Sequence, residues 1–159
     1  QPGQTSVCTV NNNDIAPAIT LSKVSTGGVG PFQFNGNNRF GATQTITTAT
    51  SGTPVGGTTR TLATAGVPTE ITETIPPGYM LTAINCSGLG AGGTATPNLT
   101  TGKVILDAAA TALGSNISCI FTNAALAPAL SLNKHWVFAI PAHDANGNGL
   151  ADVFVMKRA

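Results

Sequence analysis

Residues 70–86 read EITETIPPGYMLTAINC, a strand, a turn and a second strand in one uninterrupted run. Successive side chains of a strand point to opposite faces. Over 70–75 this sets Ile71, Glu73 and Ile75 on one face and Glu70, Thr72 and Thr74 on the other. Pro76, Pro77 and Gly78 end the strand, because proline lacks a backbone donor and glycine supplies turn conformations. From Tyr79 to Cys86 the aromatic and branched residues of a pleated surface resume. A single acid, Glu73, therefore sits on an otherwise apolar stripe.

The same pattern extends in both directions. Strands are predicted at 17–23, 38–49, 58–64, 68–75, 79–86, 102–107 and 116–123, with turn clusters at 26–31, 51–57, 76–78 and 88–93. Only 107–113 (DAAATAL) reads as helix, two turns at most. Short strands at regular spacing with Gly/Pro turns specify an all-β sandwich or barrel. The expected organisation is an N-terminal extension at 1–14, a β-sandwich at 15–125 and a C-terminal extension at 126–159. That last extension holds a strand, a loop at 143–152 and a second strand, too little for a core of its own.

Composition excludes several function classes. Only 8% of the 159 residues are charged and the net charge is +1, so the basic face a nucleic-acid partner needs is missing. No run of about eighteen apolar residues exists, so no membrane span is expected. Gln1 opens on a polar segment, as expected of a mature chain whose leader has been removed. Three cysteines without Cys-x-x-Cys do not make a zinc site. In an exported protein an odd count implies one disulfide and one thiol in need of another partner. His135 and His143 lack ligand partners at metal spacing, and no nucleophile motif or phosphate loop is present. No enzyme is expected. Asn85, Asn98 and Asn116 begin Asn-x-Ser/Thr sequons of the kind a Thr/Ser-rich chain produces by chance.

Two further strands carry the same anomaly as 70–75. Ile19, Leu21 and Lys23 share a face of 17–23, and Cys119, Phe121 and Asn123 share a face of 116–123. A lysine, a glutamate and an asparagine aimed into one small core are costly unless they meet. If they meet, desolvation drives the lysine toward the neutral amine and the glutamate toward the acid. A neutral amine beside an amide carbon, with an acid to move protons, can form an isopeptide bond and release ammonia. The alternative has Lys23 snorkelling at the sheet edge and Asn123 ending its strand.

ETIPPGY at 73–79 resembles the Glu-x-x-x-Pro-x-Gly-Tyr signature of prealbumin-like domains of the CnaB/SpaA type, and TLSK and FTN resemble their first and last strands. The likeness covers about 15–125 and implies a prealbumin-like, Ig-like β-sandwich with extended N- and C-terminal segments. It implies Lys23 and Asn123 as the bonded pair with Glu73 as the acid. The Glu-to-Gly spacing is one residue shorter than in cross-linked members. INC followed by C-x-x-T-N resembles a branch that relies on a disulfide, which here would join Cys86 and Cys119. Cys8 is then the odd thiol, either a small buried hydrophobe or an intersubunit partner.

The loop Asp144-Ala-Asn146-Gly-Asn148-Gly-Leu-Ala-Asp152 resembles the oxygen-rich start of a calcium loop. Val155 stands where an EF-hand needs its closing acid. An Asn-Gly hairpin turn explains the same residues.

Finally, the chain repeats itself. SVCTVNNNDIAPAITLSK at 6–23 returns as ISCIFTNAALAPALSLNK at 117–134, sharing Cys, Asn, Ala-Pro-Ala, Leu and Lys at an offset of 111. Each copy joins a last strand to a first strand, so 6–12 is a spare last strand and 129–134 a spare first strand. A spare strand can complete a neighbour's sheet, and a head-to-tail contact that does not close makes a filament. The expected function is a structural subunit of an extracellular bacterial surface fibre, a homopolymer of copies of itself serving adhesion or matrix building. Two alternatives remain: a slice of a longer domain array, and a calcium-dependent adhesin module for a host surface or glycan.

Overall fold

The computed structural model describes residues 14–40 and 43–127, with Gly3 besides. Its strands are β1 (Ala18–Thr26), β2 (Gly30–Gly36), β3 (Gln44–Thr48), β4 (Val55–Gly56), β5 (Arg60–Thr61), β6 (Thr69–Thr74), β7 (Tyr79–Ser87), β8 (Ala95–Asn98), β9 (Lys103–Leu106) and β10 (Asn116–Ala125). One sheet runs β4-β1-β10-β7, with β5 also on β1, and the other runs β3-β2-β6-β9-β8. All described regular structure is strand, and the two sheets form a sandwich. The first and last strands lie side by side in parallel, from Ala18 opposite Asn116 to Thr26 opposite Ala124. A parallel pair needs a long crossover, and here the rest of the domain supplies it.

Period-two alternation builds the core between the sheets. Ile19 and Leu21 of β1, Phe32 and Phe34 of β2, Ile71 of β6, Val104 and Leu106 of β9, and Ile117 and Phe121 of β10 are all buried. Phe34 and Phe121 meet edge to face with ring centroids 5.1 Å apart, joining the two sheets. Cys86 and Cys119 are direct partners across β7 and β10 and are joined in a disulfide between positions 33 apart in sequence. Replacing both by alanine is expected to cost about 3–4 kcal/mol by the loop-closure argument. Urea unfolding of the variant beside the oxidised protein checks this, and an unchanged midpoint would contradict it.

Several local expectations are corrected. Residues 107–113 form turns rather than helix. Asp107 Oδ1 accepts the Ala110 amide at 2.7 Å, and three-residue bonds from Ala112 to Ala109 and from Ser115 to Ala112 follow. Two turns gain too few bonds to offset helix nucleation, and Gly114 at φ 75° closes the segment. The strand expected at 38–49 starts at Gln44, because Asn38 and Arg39 adopt positive φ of 49° and 75°. Asn38 is held there by its side chain, which bonds both the amide and the carbonyl of Thr64. The segment at 58–64 pairs only at Arg60–Thr61. β2 and β8 were not expected at all, and neither was the short β4 inside the turn cluster read at 51–57.

The chain divides after Ala127. Segments 6–12 and 129–134, Cys8, and the loop residues Asp144, Asn146, Asn148 and Asp152 lie outside the described residues.

Candidate functional site

The inward row of β1 runs Ile19, Leu21, Lys23, Ser25, and that of β10 runs Ile117, Cys119, Phe121, Asn123. The parallel register places Lys23 opposite Phe121 and Ser25 opposite Asn123. Lysine and asparagine are thus one inward step apart on neighbouring strands. Glu73 reaches them from β6 in the facing sheet, where it pairs with Phe34.

The three side chains meet in the core. Lys23 Nζ donates to Asn123 Oδ1 at 2.5 Å, to Glu73 Oε2 at 3.3 Å and to the Phe121 carbonyl at 3.3 Å. Asn123 Nδ2 donates to Glu73 Oε1 at 2.6 Å. Lys23 and Asn123 are 0% exposed and Glu73 is 1% exposed. The ring of Phe32 covers the ammonium, 4.4 Å from its centroid. Snorkelling is therefore corrected: Lys23 lies wholly inside, and β10 continues past Asn123 to Ala125.

Local backbone holds the acid in place. The Glu73 amide donates to the Gly102 carbonyl at 2.8 Å. Gly102 has φ 70°, and a Cβ there would come within 2.4 Å of the Glu73 carbonyl oxygen. Only glycine satisfies both the conformation and the approach.

The description "prealbumin-like fold domain", of the SpaA type, matches residues 19–125. The chain belongs to this family. No curated protein matches it. Among solved structures it is similar, at 16% identity and a TM-score of 0.44, to a bacterial adhesin from Mobiluncus mulieris containing intramolecular disulfide, isopeptide and ester bond cross-links. That likeness covers 70% of this chain and 42% of the adhesin chain.

Electrostatics in this prealbumin-like domain follow from burial. Desolvation pulls the Lys23 amine down from its ordinary 10.5 to about 8, against the opposing attraction and hydrogen bond of Glu73. Desolvation likewise pushes the Glu73 carboxyl up, although Lys23 and the Asn123 hydrogen bond oppose it. The lowered value raises the share of neutral, nucleophilic amine at pH 7 well above that of an ordinary lysine.

That geometry can support one reaction in particular. The neutral amine of Lys23 would be the nucleophile and Cγ of Asn123 the electrophile. Glu73 touches both ends, with Oε2 beside the attacking nitrogen and Oε1 beside the amide nitrogen that would leave. One carboxyl group can take a proton from the first and give one to the second. In that reaction the N–Cγ bond would form, the Cγ–Nδ2 bond would break, and ammonia would depart with no oxidant or cofactor required.

Two supporting groups, the Phe32 ring and the Phe121 carbonyl, were not among the sequence expectations. The alternation in PFQF at 31–34 was the available signal for the ring. Among the described residues no three His, Cys, Asp or Glu gather as metal ligands, and no helix is long and apolar enough to cross a membrane.

Proposed function

We propose that this chain is a structural subunit of an extracellular bacterial surface fibre, built head to tail by β-strand exchange and serving adhesion or matrix building. One observation carries the reading. The repeated stretches at 6–23 and 117–134 each span a last strand and a first strand, while β10 and β1 already occupy both places in the sheet. By sequence, segments 6–12 and 129–134 alternate as spare strands would, and a neighbouring copy would give each a place to pair. We also propose that Lys23 and Asn123 become joined by an isopeptide bond with Glu73 as proton carrier, which suits a subunit under strain outside a cell.

Negative-stain microscopy of the purified protein is expected to show filaments. Removing residues 1–14, or separately 126–159, is expected to abolish or shorten them. If both truncated proteins assemble as the full chain does, strand exchange is wrong and the repeat is the scar of a domain array.

A further inference from the structure

We propose that the outer edge of β7 is the acceptor at the junction, taking residues 6–12 of a second copy as an added antiparallel strand; this rests on the fibre reading and assigns its contact surface. β7 is nine residues long and pairs with β10 on one side. Among the described residues no strand pairs with its other side. An unpaired edge of this length is a template for another strand. At its foot the sandwich opens into an apolar pocket of about 440 Å³, lined by Ile75, Tyr79, Met80, Leu81, Leu99 and Thr100. Met80 is 50% exposed and Leu99 39% exposed there.

The repeat selects the occupant. Segment 6–12 corresponds to 117–123, the body of β10, which is the strand β7 already holds. It carries Cys8, Val10 and Asn12 on one face, and nothing from Gln1 to Asn13 is charged, so entering an apolar groove strips no ion of water.

Chain direction agrees. Because β1 and β10 are parallel, the chain enters β1 at one end of the sandwich and leaves β10 at the other. The exit lies beside the start of β7, where the Leu126 amide donates to the Gly78 carbonyl at 2.7 Å. In a head-to-tail stack, the segment leading into the next copy's β1 meets that exit end. It runs in the same sense as the first copy's β10, and so antiparallel to β7. Thirteen residues precede Asp14; at about 3.3 Å each they reach roughly 40 Å, more than the roughly 30 Å of β7.

Two full-chain variants test the assignment. Leu99→Lys places a charge in the acceptor pocket, and Val10→Lys places one on the inward face of the donor. Each alone is expected to stay monomeric by light scattering. Their equimolar mixture is expected to give heterodimers and nothing longer, since one intact acceptor and one intact donor remain. Heterodimer recovery also shows that both variants are folded. If either variant assembles like the unmodified protein, the assignment is overturned. A mixture that stays monomeric while the unmodified protein forms fibres overturns the β7 edge and leaves the fibre reading standing. An unmodified protein that is itself monomeric, as when another part of the same chain covers the edge, overturns both.

Discussion

The intact mass of the folded protein is expected to fall short of its sequence mass by one ammonia, and Glu73→Gln is expected to restore the full mass. The three groups required are already within hydrogen-bond reach in a site from which water is excluded. An amide in place of the acid keeps the shape of residue 73 but cannot shuttle the proton, so amine and amide should remain separate. The bond would close a loop between residues 100 apart in sequence. By chain entropy a link of that span stabilises by about 4–5 kcal/mol, more than the disulfide with its 33-residue separation. Unfolding free energies of the two proteins, read from urea titrations, should differ by about that amount. A wild-type mass equal to the sequence mass removes the isopeptide.

The second large effect concerns charge. Lys23→Met keeps a straight apolar chain in the core but leaves Glu73 buried without its cation. In the chain that has not yet cross-linked, breaking this buried pair from one side costs about 3–5 kcal/mol, and the variant also forgoes the covalent bond. The sign of the pH dependence follows from the raised acid. A carboxyl whose pKa is higher folded than unfolded binds more protons in the folded state between those two values. Its stabilisation is complete below the ordinary 4.5 and is lost as pH rises through the folded value. With Lys23 gone, both its attraction and its hydrogen bond, two of the three influences lowering Glu73, disappear and the window widens upward. The variant should therefore be markedly more stable at pH 4.5 than at pH 7, and Glu73→Gln added to it should flatten the profile. Urea unfolding across that range decides; a flat profile for Lys23→Met alone would show that Glu73 is not desolvated in the variant.

Lys23, Glu73 and Asn123 were legible because a period of two needs only a strand assignment to say which side chains share a face. Their meeting also required β1 to lie beside β10 and β6 to face both, which no local pattern encodes. The same gap allowed a snorkelling Lys23: whether a long side chain reaches water depends on what packs over it, and Phe32 does so here. β2 was missed because its Phe-x-Phe alternation is bracketed by glycines that read as turn. β8 was missed because Pro97 speaks against a strand, yet an outer strand tolerates proline, and β8 is the outermost of its sheet. At 107–113 the alanines argued for helix on propensity, while Asp107 favoured a tight turn, and over so few residues the turn won.

The parallel alignment of β1 and β10 also determines how the domain bears tension. A pull applied through the two chain ends acts along both strands in opposite senses, so their backbone hydrogen bonds are loaded together in shear. An antiparallel terminal pair would instead be peeled open one rung at a time. With Lys23 bonded to Asn123, the pull would pass from β1 to β10 through a single covalent bridge. The other strands, and the disulfide between β7 and β10, would lie off the load path and could stay folded while the chain is stretched.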